Sequence, residues 1–211
     1  MRGMAAATMS LVALTLFAGT VRAQVRSVMT QAGAVAVENV VGGLVHPWGM
    51  AFLPDGRLLV TERPGRLRIL RADGNLSEAL AGTPDVFNQG QGGLLDVALD
   101  PNFRENHLVY LSFAEPGAGG ASTALGRGRL TDNRIEGFEV IFRQEPKVSG
   151  PNHFGGRIVF SSEGPLFLTL GERNKFGPAQ EHSNHLGKIV RINRDGSIPE
   201  QPVRRKTGCE G

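Results

Sequence analysis

Cysteine is almost missing from these 211 residues. There is one, Cys209, so no internal disulfide can staple the fold. Its neighbours Arg204-Arg205-Lys206-Thr207-Gly208 offer no group that would activate a thiol, and Cys209 is read as incidental. Aromatic residues are scarce at 6%, with a single Trp and a single Tyr. A surplus of either charge is also missing: 23 basic residues face 20 acidic ones, and setting aside Arg2 and Arg22 leaves 21 against 20. With no basic excess and no aromatics interleaved among cations, nucleic acid is excluded as a partner. Long apolar runs are absent beyond residue 23, whereas a bilayer-spanning helix needs about 20 apolar residues. The first 23 residues have an export pattern: Arg2 gives a positive start, Met4 to Gly19 are apolar or small, and Val21-Arg22-Ala23 offers a cleavage site. A membrane anchor is the competing reading, but the run is short. Residues 1–23 are therefore expected to be a signal peptide, with no membrane span after its removal and a periplasmic or secreted product.

What the chain has in quantity is turns, with 29 Gly and 12 Pro. Residues 24–39 are small and mildly apolar and read as a loose linker. From residue 40 the texture changes to short strands joined by tight turns. His46 to Leu53 reads as a strand, Pro54-Asp55-Gly56 as a turn in which Pro presets φ and Gly accepts φ > 0, and Arg57 to Glu62 as the next strand. Arg63-Pro64-Gly65 turns again, and Arg66-Leu67-Arg68-Ile69-Leu70 alternates polar and apolar as a third strand. The pattern returns at 93–113 and at 156–171, and 187–196 resembles the third strand and turn of the first unit. No long amphipathic helix is visible.

One supersecondary unit recurring in this way predicts an all-β fold, a β-propeller. A single β-sandwich with irregular hairpins competes, but the repeated order of strand, Pro/Gly turn and strand favours the propeller. About three blades are present over residues 40–200, fewer than the four to eight of closed rings. Residues 201–211 form an unpatterned tail. The simplest expectation is a truncated chain; the other is a ring made by two copies.

The chemistry-bearing stretch is Pro151-Asn152-His153-Phe154-Gly155-Gly156-Arg157, where an imidazole sits in a turn at the mouth of a strand. Histidine titrates near neutrality and can take a proton from a substrate hydroxyl. It can equally cap a loop by hydrogen bonding. Gln91 follows a Gly-rich loop and precedes a buried strand, so its amide can reach into the same mouth or simply hold a turn. Asp96 lies mid-strand and needs a partner if buried, which reads as structural. Glu62 and Arg63 could pair at a strand end. His182 and His185 are read as loop hydrogen-bonding residues rather than a metal pair, and His46 and His107 as structural.

Four passages together resemble the pyrroloquinoline-quinone-dependent aldose sugar dehydrogenases of the glucose/sorbosone dehydrogenase family. They are His46-Pro47-Trp48-Gly49-Met50-Ala51-Phe52 with Leu59 to Arg63; Gln91 to Val97 with Asp100-Pro101-Asn102-Phe103; Asn152 to Arg157; and Gly171-Glu172-Arg173 with Asn184 to Lys188 and Asp195 to Pro199. The resemblance implies a six-bladed propeller with the quinone over its central channel. It implies His153 as the catalytic base and a quinone contact, taking the C1 hydroxyl proton of an aldose while hydride passes to the quinone and a lactone forms. The cofactor would carry the redox chemistry. Gln91 and Asn152 would face the sugar, with Arg173 or its neighbour Glu172 at a further sugar position; Arg173 is taken here. The glucose-oxidising branch has aspartate where Asn152 stands, so the spelling fits the broader aldose branch.

The family's other quinone contacts and its calcium ligands are expected beyond residue 211. Calcium takes six to eight oxygens, and no acidic cluster here supplies them. The fragment alone is therefore expected to be inactive. An artificial or respiratory acceptor would take the electrons onward. The competing functions are a non-catalytic propeller that binds carbohydrate or protein, and a metal-dependent lactonase or hydrolase.

Overall fold

A computed structural model describes residues 25–200, and it falls into two units, 1–40 and 41–211. The signal peptide expected at 1–23 and the tail at 201–211, with Cys209, lie outside the described residues. No helix among the described residues is long and apolar enough to cross a membrane.

The first unit corrects the expectation of a loose linker. Strands β1 (Val25–Thr30) and β2 (Gly33–Glu38) pair antiparallel from Val25↔Glu38 to Thr30↔Gly33. The turn between them suits its residues. Gly33 takes φ +116°, and the Thr30 hydroxyl donates to Gly33 O at 2.8 Å while accepting from Ala32 N.

The second unit holds three antiparallel meanders, each with neighbours in chain order. The first sheet is β3 (Pro47–Phe52), β4 (Leu58–Glu62) and β5 (Arg66–Leu70). The second is β6 (Leu94–Leu99), β7 (Leu108–Gly117), β8 (Gly120–Leu130) and β9 (Ile135–Arg143). The third is β10 (Gly155–Phe160), β11 (Leu166–Leu170) and β12 (Ile189–Ile192). One helical turn, α1 (Phe103–Asn106), and a short 3-10 turn at Gly177–Gln180 are the helical pieces among the described residues.

Strands β8 and β9 escaped the sequence reading. β8 carries Gly126 and Gly128, which weaken any strand signal. Both are small because β9 packs onto them: a Cβ at Gly126 would meet the Phe138 ring at 2.3 Å, and one at Gly128 would meet Ile135 Cγ2 at 2.4 Å. The expected pairing of Glu62 with Arg63 is also replaced. The tight β4–β5 turn sets Glu62 opposite Arg66, whose Nε lies 2.7 Å from the carboxylate.

The sheets stack face to face. Leu59, Leu67 and Ile69 of the first sheet meet Leu94, Val97, Leu111 and Phe113 of the second, all nearly inaccessible. Tyr110 and Leu125 on the other face of the second sheet meet Ile158, Leu166 and Leu168 of the third. Burial on both faces of the middle sheet explains the long apolar strands there; each such side chain contributes about 1.5–3 kcal/mol. The first strands β3, β6 and β10 run side by side, which is how propeller blades surround an axle.

A repeated hydroxyl joins these inner strands. Each first strand carries a bulge, at Pro47/Met50, Leu94/Val97 and Gly155/Ile158. Opposite each bulge a second-strand hydroxyl accepts an N–H: Thr61 from Gly49 at 2.8 Å, Ser112 from Asp96 at 2.9 Å and Thr169 from Arg157 at 2.9 Å. Thr61 then donates to Leu95 O on the second sheet, and Ser112 to Gly156 O on the third. Thr169 has no acceptor among the described residues. The outer faces of the first and third sheets expose Met50, Phe52, Val159 and Ile189.

Candidate active site

His153 sits in the loop that enters β10, on the end of the sheets where the bulges lie. Its backbone is left-handed, φ +54°, a conformation that costs a non-glycine residue about 1–3 kcal/mol and persists only where the surroundings hold it. The holders are identifiable. Gln91 Oε1 accepts the His153 N–H at 2.8 Å, and the Gln91 N–H donates to Pro151 O at 2.8 Å. The His153 carbonyl accepts from Arg173 N at 3.2 Å. Gly171 passes so close that a Cβ there would fall 1.8 Å from His153 O, and Gly90 so close that its Cβ would meet Pro151 O at 2.7 Å. Neither position can carry a side chain without moving the loop.

The imidazole Nδ1 meets Glu172 Oε1. The other carboxylate oxygen, Oε2, accepts the Asn174 and Lys175 N–H groups. Burial works to raise the Glu172 carboxyl. The hydrogen bonds from His153 and from those two amides outweigh it and hold the group below its ordinary value of 4.5. An ionised Glu172 can only accept, so a neutral His153 carries its proton on Nδ1 and turns an unprotonated Nε2 outward. The His153 side chain is 41% exposed, and Nε2 has no partner among the described residues. An oriented imidazole with a carboxylate behind it is the arrangement that accepts a proton from a hydroxyl and stabilises the resulting imidazolium.

The expected sugar-facing residues separate on inspection. Gln91 and Asn152 stand beside His153 at the mouth. The Gln91 oxygen is used on the His153 backbone while its NH2 has no partner among the described residues, and the Asn152 side-chain amide has no hydrogen bond there either. Arg173 does not face the mouth. It is 1% exposed, and its guanidinium donates to Asn152 O at 2.7 Å and also to Ala121 O and Gly150 O. It lies 3.5 Å over the Phe154 ring, and burial pushes it down to about 10 against a modest counterpull from Glu172. Of the two neighbours in Gly171-Glu172-Arg173, Glu172 is the one that reaches His153. Consecutive positive φ values at Arg173 (+58°) and Asn174 (+61°) turn the pair this way, and no side-chain pattern announces them.

Asp96, Arg157 and His185 make contacts that join elements of the fold. Asp96 is pulled up by burial against the opposing Ile158 N–H and Arg157 guanidinium, each 2.9 Å away, and so ties the second sheet to the third. Arg157 also stacks over Trp48 of the first sheet at 4.6 Å. His185 Nδ1 accepts the Glu145 N–H at 3.0 Å, the loop role expected for it. No cluster of three or more His, Cys, Asp or Glu that could hold a metal ion is found among the described residues. Two clefts of roughly 720 and 800 Å³ lie at the far ends of the strands, around His107 and around Arg194, and neither includes His153.

The family description "Glucose / Sorbosone dehydrogenase" matches residues 44–210. The chain is 46% identical over 180 residues to aldose sugar dehydrogenase YliI of Escherichia coli K12, covering 83% of this chain and 48% of that protein. A solved glucose dehydrogenase superposes with TM-score 0.73 at 54% identity over 74% of this chain and 47% of the other. The PQQ-bound aldose sugar dehydrogenase of Streptomyces coelicolor gives TM-score 0.67 at 30% identity over 85% and 51%. The chain spans about half the length of the curated relatives it matches.

Proposed function

The chain belongs to the glucose/sorbosone dehydrogenase family, and from that premise we propose that it carries the base-bearing part of a quinoprotein that oxidises the C1 hydroxyl of aldoses to lactones. Pyrroloquinoline quinone, when bound, supplies the acceptor for the hydride that leaves C1. The imidazole with its outward Nε2 fits the sugar-facing side of such a site, and the similarity to the PQQ-bound aldose sugar dehydrogenase of Streptomyces coelicolor supports the choice of cofactor.

The observation that carries this reading is the His153–Glu172 pair. His153 Nε2 takes the C1 hydroxyl proton as C–H cleavage proceeds, and Glu172 holds the ring in the correct tautomer and stabilises the charge that forms. The unengaged amides of Gln91 and Asn152 are suited to hydrogen-bond the sugar hydroxyls. Calcium belongs to the proposal only through the family, with ligands outside the described residues. The export pattern at 1–23 favours a periplasmic or secreted location, where an aldose and an external electron acceptor are both at hand.

The test adds pyrroloquinoline quinone and calcium to the chain alone, and to a chimera in which the second half of the E. coli relative follows Pro199. Dye reduction is then followed with several aldoses. No turnover is expected from the chain alone and turnover from the chimera. A chimera that binds aldose but reduces no dye would leave a carbohydrate-binding module instead.

A further inference from the structure

The geometry points to Arg173 as the positioning residue that sets the tautomer of His153, a role that rests on the His153–Glu172 reading above. Arg173 and Glu172 are neighbours, and together they grip the active loop from both sides: the acid takes the imidazole, and the guanidinium takes the backbone that carries it. The guanidinium donates to Asn152 O and Gly150 O within that loop and to Ala121 O at the start of β8. The backbone bond from Arg173 N to His153 O, 3.2 Å, joins two residues that are both left-handed. Neither conformation is held by its own side-chain preference, so each depends on the other's bonds.

A buried cation without a carboxylate on its guanidinium is expensive to keep. Here three carbonyls and the Phe154 face at 3.5 Å replace its water. That arrangement needs a planar fork with several diverging donors. Lysine offers a single ammonium and cannot span three carbonyls on three bearings. Releasing the clamp lets His153 relax from its left-handed φ of +54°, which withdraws Nδ1 from Glu172. The imidazole proton is then free to sit on Nε2, the atom that must be bare to accept a proton.

The experiment is long-range proton–nitrogen NMR of the chain labelled in its five histidines, with His153 assigned through His153→Gln and spectra taken where the ring is neutral. In the unaltered chain His153 is to be in the Nδ1–H form. In Arg173→Lys and Arg173→Met the ratio of Nδ1–H to Nε2–H is expected to fall by about tenfold or more, the scale of one lost charge-assisted hydrogen bond. A ratio unchanged in a variant that keeps the amide spectrum of the sheet core overturns the role, because packing alone would lower stability without moving the tautomer. A second measurement needs no variant. If one local opening releases both groups, the Arg173 Nε–H and His153 Nδ1–H protons, each normalised to the intrinsic exchange rate of its own group, show similar protection; an Nδ1–H protected about tenfold less, or more weakly still, also overturns it. Glu172→Gln separates the two ideas. A ratio that falls there and holds in Arg173→Lys removes the clamp and leaves the base; a ratio that holds in Glu172→Gln removes the pair itself.

Discussion

Replacing Gly171 by alanine puts the packing of the active loop under direct strain. The new Cβ would fall 1.8 Å from His153 O, 2.3 Å from His153 C and 2.9 Å from Phe154 C. All three are backbone atoms, so no side chain can swing aside. Relief requires the segments to separate, and the atoms involved are already committed. Gly171 N donates to Phe154 O at 2.8 Å, and Gln144 Nε2 donates to Gly171 O at 2.7 Å. Losing about one to two such bonds at about 1 kcal/mol each, with overpacking strain of about 1–3 kcal/mol, gives a loss near 3 kcal/mol. At an m-value of about 2 kcal/mol/M the urea midpoint falls by about 1.5 M. The single tryptophan, Trp48, reports the transition from its place under Arg157. Gly177→Ala is the control: nothing lies within 4 Å of its Cβ, and its φ is not positive, so a change within about 0.5 kcal/mol is expected. A Gly171→Ala loss as small as the control's would refute the close approach of 171 to 153.

Three further outcomes follow from the same geometry. Thr61→Val and Ser112→Ala each remove a buried hydroxyl that bridges two sheets, and each is expected to lower stability by about 2–3 kcal/mol; Thr169→Val, whose hydroxyl bridges none, is expected to lower it by about 1 kcal/mol or less, all read in urea. Glu172 binds its proton less readily folded than unfolded, so its contribution is present above the unfolded carboxylate range and is lost as pH falls through it; Glu172→Gln should flatten that part of the stability–pH curve. Asp96 is shifted the other way, so its contribution declines as pH rises through the same range, and in Asp96→Asn the acid-side slope should steepen in denaturant titrations at stepped pH.

Much of the fold was legible because turns announce themselves. Pro54-Asp55-Gly56 and Arg63-Pro64-Gly65 bracket a strand where expected, and the third unit repeats the first. The misses have physical causes. β8 hides behind glycines whose purpose, seating Phe138 and Ile135, exists only once β9 has folded over them. The hairpin at 25–38 has weak composition and gains strand character from pairing alone. At the site, His153 stood out by its turn and by the family spelling. The choice between Glu172 and Arg173 was invisible, because adjacent residues point in opposite directions and left-handed backbone decides which one enters. The hydroxyl at the base of each bulge was equally hidden, since Thr61, Ser112 and Thr169 look like ordinary strand residues until sheets stack.

The role given to the imidazole is tested most directly by aldose-dependent dye reduction in the chimera, with quinone and calcium at saturation, before and after His153→Gln. A general base contributes about 10²–10⁴-fold, so a fall in kcat of about a hundredfold or more is expected, with the quinone still bound. A fall of less than about fivefold in kcat would contradict it, since proton removal at C1 would then proceed without the ring that Glu172 orients.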